Sequence, residues 1–328
     1  MIVVTGGAGF IGSNLVAALE QAGYPEIVVC DRLGTDDRWQ NLAKRELADL
    51  ITPEELIPFL KGHVDRLEAV FHMGAISSTT ESDVDAIIQN NIRLTLDLFH
   101  WAKHTDVRFI YASSAATYGD GSQGFVDDNA QEALNSLRPL NAYGWSKAFV
   151  DRRFKRIADE GGKTPRQWTG LKFFNVYGPN EYHKGDMASV VSKIYPKAAA
   201  DEPAVLFRSH HPDYADGGQS RDFVHVDDCV KVMMWLLDHP DVSGIFNLGT
   251  GKARSFLDLA TAVFQALGKQ PNIEFVPTPE SIREKYQYFT QADMINLRLA
   301  GYEADFIELE EGIRQYVQGF LDTEDPYR

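Results

Sequence analysis

The sequence predicts an α/β fold, a doubly wound parallel sheet with a smaller C-terminal α/β lobe. Three observations carry that expectation. The chain opens on the apolar run Ile2-Val3-Val4, turns through glycines 6, 9 and 12, and becomes helix-like from Ser13. Strand, glycine turn and helix form the βα unit that seats a pyrophosphate on a helix N-terminus. Short apolar runs then alternate with helical spacing through the first half, as parallel strands joined by helices require. Beyond Gly178 the alternation loosens into shorter elements rich in Gly, Pro and His. Residues 1–178 are therefore read as a dinucleotide-binding (Rossmann) domain to which 220–250 returns, and 179–328 mainly as a substrate-binding lobe.

Taken in order, the first strand (2–4) is followed by a second at 26–30 that closes on Asp31. An acid about 20 residues past such glycines is where an adenosine ribose hydroxyl is held. The run 68–75 is almost wholly apolar, as in a strand covered on both faces. Ile88, Ile92, Leu96 and Phe99 share one face of a helix predicted over 87–102. Strands at 107–112 and 171–176 flank a helix at 141–157, and 244–248 reads as a strand returning to the main body. No Pro- or Ser-rich segment marks a flexible linker, and there is no internal repeat.

Composition removes several function classes. At 328 residues, 44% hydrophobic and 24% charged, the chain is an ordinary globular one with ample core. A net charge of −15 without a Lys/Arg run excludes a nucleic-acid surface. Cys30 and Cys229 have no partner at ligand spacing and read as buried thiols in a reducing compartment. With no signal-like segment and no 18-residue apolar run, the expectation is a cytoplasmic protein without a membrane partner. The pair His210-His211 has no third ligand at suitable spacing, so no metal is expected.

The chemistry concentrates on one helix. Tyr143 and Lys147 stand four apart and share a face. A nearby ammonium, with the charge of an oxidised nicotinamide, is expected to favour the phenolate and lower the Tyr143 pKa. Such a pair moves a proton while a nicotinamide moves a hydride. Ser114, at the carboxyl end of the 107–112 strand, can hydrogen-bond the alcohol that Tyr143 deprotonates.

Thr5-Gly6-Gly7-Ala8-Gly9-Phe10-Ile11-Gly12, Ser114, Tyr143-Gly144-Trp145-Ser146-Lys147 and Arg221-Asp222-Phe223-Val224-His225-Val226-Asp227-Asp228 together resemble the extended short-chain dehydrogenase/reductase family. That resemblance spans nearly the whole chain, and the family acts mostly on nucleotide-sugars. Its dehydratases carry an acidic pair after the active-site hydroxyl; here Ala115 and Ala116 follow, which disfavours dehydration. Residues 71–81, 174–179, 183–190 and 286–293 are similar to the ADP-heptose 6-epimerase branch. The resemblance implies an enzyme of lipopolysaccharide core precursor synthesis with tightly bound NADP. It would invert C6 of ADP-D-glycero-β-D-manno-heptose through a transient aldehyde.

The same resemblance implies the remaining site residues. Lys184, in the His183-Lys184-Gly185 motif, would be the second base. Phe10, Ile11, Met73, Gly74, Ala75, Ile76, Ser77, Asn90, Lys147, Val176 and Lys184 would line the cofactor. Asp31 alone favours NAD; Arg32 and Arg38 beside it favour the 2′-phosphate of NADP, with NAD usable. Arg221 would clamp the pyrophosphate of an ADP-sugar, aided by Asn175, Asp186, Phe207, Arg208, Ser209, His210 and Tyr286. The stretch 207–220 is longer than the family pattern, and Asp186 stands where a small hydroxyl residue is expected. A homo-oligomer, such as a pentamer, is also implied. Two other readings stand beside this one: a nucleotide-sugar 4-epimerase or reductase on the same scaffold, and a non-catalytic NADP-binding sensor.

Overall fold

The protein is described from a computed structural model covering residues 1–283 and 287–328. Its strands are β1 (Ile2–Thr5), β2 (Ile27–Cys30), β3 (Asp49–Ile51), β4 (Ala69–His72), β5 (Arg108–Ser114), β6 (Trp168–Phe173), β7 (Asn175–Tyr177), β8 (Ala204–Phe207), β9 (Ser220–His225), β10 (Gly244–Leu248), β11 (Ala253–Ser255) and β12 (Ile273–Val276). Seven of them form one sheet in the order β10-β6-β5-β4-β1-β2-β3, every pair parallel. The four strands β1, β2, β4 and β5 are almost entirely buried, which is why they read as continuous apolar runs rather than alternating ones.

Strand order reverses between β1 and β4. Right-handed crossovers to either side of that point put successive helices on opposite faces. Helix Phe10–Gln21 packs against helix Val226–Asp238, while the run from Val84 to Ala102 packs against helix Ala142–Asp159. The predicted helix 87–102 begins three residues earlier, at Val84, and its middle, Ile88–Arg93, is a π-turn. The predicted strand 171–176 is broken at Phe174. β6 stays in the large sheet and β7 leaves it to pair with β9.

The C-terminal part has its own core. Val191, Ile194, Leu206, Leu259, Val263, Phe264, Ile313 and Tyr316 gather around helices Val190–Ala199, Phe256–Ala266 and Leu309–Tyr316. Two small sheets, β11-β9-β7 and β12-β8, frame it. Both cysteines are free and buried. Among the described residues no helix is long and apolar enough to cross a membrane.

Two buried histidines and one half-buried one are held neutral. Burial pulls His72 to about 3, and His183 and His225 to about 4, from the ordinary 6.5. Below pH 6.5 the unfolded chain binds protons that the folded chain refuses, so unfolding free energy falls with pH through that window. At pH 5, His72 alone accounts for about 2 kcal/mol of that loss. Urea titrations of the wild type and His72→Gln at pH 7 and pH 5 should show the variant losing about 2 kcal/mol less between the two; equal losses would remove His72 from the account.

Candidate active site

The site lies at the carboxyl ends of β1 and β4, where the strand order reverses and ligands enter open parallel sheets. Gly6 takes φ +65°, and a Cβ there would lie 2.5 Å from the Gly74 nitrogen. Only glycine lets the first turn approach the loop after β4 so closely. Helix Phe10–Gln21 then starts at Gly9 with no side-chain cap and no acid in its first turn. Its free N–H groups and the positive end of its dipole are an anion seat left open.

A chain of buried polar side chains fixes the geometry around that turn. Thr5 Oγ1 lies 2.7 Å from His72 Nδ1, and His72 Nε2 lies 2.9 Å from Thr95 Oγ1. Thr95 spends its one hydroxyl proton on the Asn91 carbonyl, 2.7 Å away. His72 must therefore donate from Nε2 and accept at Nδ1 from Thr5. Thr5 Oγ1 in turn accepts from the Gly74 N–H at 3.2 Å. Asn91, within the π-turn, exchanges two 2.9 Å bonds with the Ile76 backbone and donates to Ser146 Oγ at 3.1 Å. Ser146 donates to the Tyr143 carbonyl at 2.7 Å. The cofactor turn, residues 73–77 and the Tyr143 helix are thereby one hydrogen-bonded unit.

Helix Ala142–Asp159 is capped by Asn141, whose Oδ1 accepts from Gly144 N at 2.8 Å. A Cβ at Gly144 would lie 2.6 Å from the Ala116 carbonyl oxygen. Glycine there lets the first turn press against the residues that follow Ser114. Ser114 closes β5 and faces the Tyr143 phenol, favouring its phenolate. Lys147 Nζ lies 6.0 Å from the Tyr143 ring centre and makes no hydrogen bond to a described residue, although Lys147 is 3% exposed. Burial pulls Lys147 down to about 8, while the Asp151 carboxylate pushes it back up. One expectation needs correcting. In the protein alone burial raises the Tyr143 pKa, outweighing the Ser114 hydrogen bond, so the expected lowering is not present without the cofactor's charge.

Behind these residues is a sealed ion pair. Asp151, one turn past Lys147, accepts from Lys172 Nζ at 2.6 Å, Ser113 Oγ at 2.7 Å and Tyr111 Oη at 2.9 Å. Lys172 also donates to Thr117 Oγ1 at 2.7 Å. Three donors on the carboxylate and two acceptors for the ammonium offset much of the desolvation of the pair.

At the adenosine end, Asp31 accepts from Ala8 N at 2.9 Å and from Arg32 N at 2.8 Å, which ties β2 to the glycine turn. Arg32 pairs with Glu54 and reaches Asn90 Oδ1 at 3.4 Å. Arg38 is held by Asp36, with Nε at 2.9 Å and Nη2 at 2.7 Å from its carboxylate oxygens. Neither arginine stands free, so a phosphate must compete with a carboxylate for each.

Residues 178–189 bring Lys184 to the cofactor helix. Asn14 Nδ2 donates to the Pro179 carbonyl at 2.9 Å, Asn41 Nδ2 to that of Asn180 at 3.1 Å, and Asn180 Nδ2 to Ser13 Oγ at 3.0 Å. Lys184 Nζ lies 5.0 Å over the Phe10 ring centre and makes no hydrogen bond to a described residue.

Two of the residues expected on the substrate side lie on the β7–β9 pair, where Asn175 stands opposite Phe223, two residues beyond Arg221. Arg221 lies 5.5 Å over the Phe256 ring centre, and its Nη1 donates to the Ser220 carbonyl at 2.9 Å. The long 207–220 stretch closes on itself: the Phe207 carbonyl accepts Gly217 N at 3.2 Å, and Ser209 N donates to Asp216 Oδ1 at 2.9 Å. Tyr288 Oη takes the His210 N–H at 2.9 Å, and the rings of His211, Tyr214 and Tyr288 pack together. Arg208 Nε is engaged by the Phe275 carbonyl at 3.2 Å. Asp186 is exposed and its carboxylate makes no hydrogen bond or ion pair to a described residue. Tyr286 lies outside the described residues.

The structure thus gathers Gly6, Gly9, Phe10, Gly74, Ser114, Tyr143, Lys147 and Lys184 around the strand reversal. Sequence reasoning did not pick out Thr5, His72, Asn91, Thr95, Asp151, Lys172, Asn180 or Glu181. Asn91 and Asp151 did leave a signal. Asn91 falls on the buried stripe with Ile87 and Leu98, and Asp151 continues the Tyr143–Lys147 spacing by another turn.

Comparison with known proteins agrees with this geometry. The family model described as the NAD dependent epimerase/dehydratase family matches residues 2–249. ADP-L-glycero-D-manno-heptose-6-epimerase of Nitratidesulfovibrio vulgaris strain DP4 is 50% identical over 330 residues, covering 100% of both chains. The crystal structure of the Helicobacter pylori enzyme of that name superimposes with a TM-score of 0.78 at 28% identity, over 97% of this chain and 95% of the other. UDP-N-acetylglucosamine 4-epimerase of Methanobrevibacter ruminantium gives a TM-score of 0.80 at 26% identity, over 98% of each. The chain belongs to the NAD dependent epimerase/dehydratase family.

Proposed function

We propose that this epimerase uses NADP to invert C6 of ADP-D-glycero-β-D-manno-heptose through transient oxidation to a 6-aldehyde. The observation that carries the reading is that two proton-carrying groups stand on separate elements: Tyr143 of helix Ala142–Asp159, which faces Ser114, and Lys184, whose ammonium has no hydrogen-bond acceptor among the described residues. Inversion is served by a proton donor or acceptor for each of the two faces of one carbonyl. The substrate identity rests on the full-length relatives of 44–50% identity that carry the heptose epimerase name. The glycine turn, the uncapped helix start and the unpaired Lys147 fit a nicotinamide dinucleotide.

Bound NADP would supply the hydride acceptor and donor at C6. Tyr143 takes the proton of the C6 hydroxyl while Ser114 holds its oxygen. Lys147 would hold the cofactor and, with the cofactor's charge, would offset the burial that raises the Tyr143 phenol. Lys184 gives a proton to the same oxygen when the aldehyde has turned its other face. Arg221 grips the diphosphate, a local positive charge in a chain of net charge −15. Assembly as a homo-oligomer is part of the reading: Ile295 and Leu299, 61% and 79% exposed, are apolar surface of the kind a second copy covers.

Proton NMR of the ADP-heptose with the protein alone should show the L-glycero epimer appear. Tyr143→Phe should lower kcat by about 10²–10⁴-fold with cofactor retention unchanged. No turnover of the ADP-heptose but turnover of a UDP-sugar would move the chain to the 4-epimerase reading. Turnover surviving intact in Tyr143→Phe would sink the assigned base.

Cofactor choice is tested at Arg38. Arg38→Ala should weaken NADP by about 10–100-fold, the worth of one charge-assisted contact, and leave NAD within about threefold. Titrations showing equal effects on both cofactors would assign Arg38 to structure and the preference to other residues.

A further inference from the structure

Glu181 is a buried anion for which the reaction above has no use. It is 0% exposed and follows Asn180, which holds the left-handed φ of 71°. Its carboxylate reaches both ends of the segment that carries Lys184. Ser189 N and Ser189 Oγ each donate to it at 2.6 Å, and Gly178 N lies at 3.5 Å. The Lys184 N–H also donates to the Glu181 carbonyl at 3.0 Å, closing the turn between them. A single side chain therefore brackets Lys184 on both sides in sequence.

The charges around this pair are few. Lys184 and Glu181 make no direct ion pair, but the Lys184 charge reaches the carboxyl: burial pushes the Glu181 carboxyl up, and the Ser189 hydroxyl and the Lys184 charge pull it down. Reciprocally, burial pulls Lys184 down and Glu181 pushes it up, with Lys193 of helix Val190–Ala199 opposing. Lys193 is itself anchored on the Asp186 carbonyl at 2.6 Å. His183, which burial pulls down to about 4, also feels Arg38 and the cap residue Asp36. Tyr182 and Tyr316 face Glu181 from the other side, and Phe10 of the cofactor helix covers Lys184 with an uncharged ring.

We infer that Glu181 is the positioning residue of Lys184: its carboxylate closes the segment around the lysine and supplies the counter-charge of its ammonium. Burying a carboxylate on neutral donors alone is costly, and a segment of this length could be closed by an amide. An acid here gains by facing a base that must carry a proton for half of the cycle. The inference rests on the proposed role of Lys184 as the second proton donor.

The experiment is the pH profile of kcat/KM for the wild type, Lys184→Ala, Glu181→Gln and the double variant. Glu181→Gln should move the limb that depends on Lys184 to lower pH by about one unit, since a counter-charge is lost. Its kcat should fall by about tenfold with KM changed less than about threefold. In the Lys184→Ala background the same change should alter kcat by less than about twofold. A limb that stays put in Glu181→Gln while Lys184→Ala is inactive overturns the inference and leaves the second base standing. Full activity in Lys184→Ala overturns the second base itself, and this inference with it. Should Glu181→Gln not fold, Glu181→Asp decides: the withdrawn carboxylate should cost kcat about fivefold or more with a smaller shift, and an unchanged kcat counts against positioning.

Discussion

The constraint on which the site depends is the contact between Thr5 and His72 at the ends of two parallel neighbours. In the register, Thr5 stands beside His72, the last pair before both chains leave the sheet. A neutral imidazole there offers one donor and one acceptor, and each is already committed. That commitment dictates the direction of the hydrogen bonds between Gly74 and Thr95, with the Asn91 amide and Ser146 completing the path to Tyr143. A protonated His72 would present two donors and break the bond from Thr5. Burial, which holds the ring neutral, is thus part of the geometry of the glycine turn as well as of stability.

Much of this was legible in the sequence, for physical reasons. Buried parallel strands must be apolar on both faces, so 2–4, 26–30 and 107–112 announced themselves. The glycine turn was visible because backbone approach leaves no choice of residue at Gly6. Tyr143 and Lys147 were visible because helical spacing puts them on one face. The π-turn at Ile88–Arg93 was not, since it alters hydrogen-bond pairing without changing the hydrophobic stripe. The break at Phe174 was hidden because β6 and β7 are separated by a single residue that is itself apolar and buried.

The polar residues that sequence reasoning missed share a property. Thr5, His72, Asn91, Asp151 and Lys172 are buried, and each acts through a partner distant in sequence. A pattern within one segment cannot reveal that pairing. Arg32 and Arg38 show the converse. Their proximity to Asp31 was legible, but their existing pairs with Glu54 and Asp36 were not. Those pairs temper any affinity for a 2′-phosphate, because the anion gains only the difference between two carboxylate-like partners.

The treatment of cations separates the site from the rest of the molecule. Lys172, fully buried, is ion-paired with Asp151 and also donates to Thr117, so its charge is already matched inside the protein. Lys147 and Lys184 are denied such partners, at a cost in desolvation that lowers both. In each case a carboxylate stands near enough to oppose that lowering: Asp151 one turn below Lys147, and Glu181 one turn before Lys184. Burial lowers both lysines and a carboxylate set back from each opposes that lowering, so each keeps an ammonium group that a ligand, rather than an ion pair, can engage. A surface lysine paired with an acid could not do this, since its charge would be fixed and its protons spent.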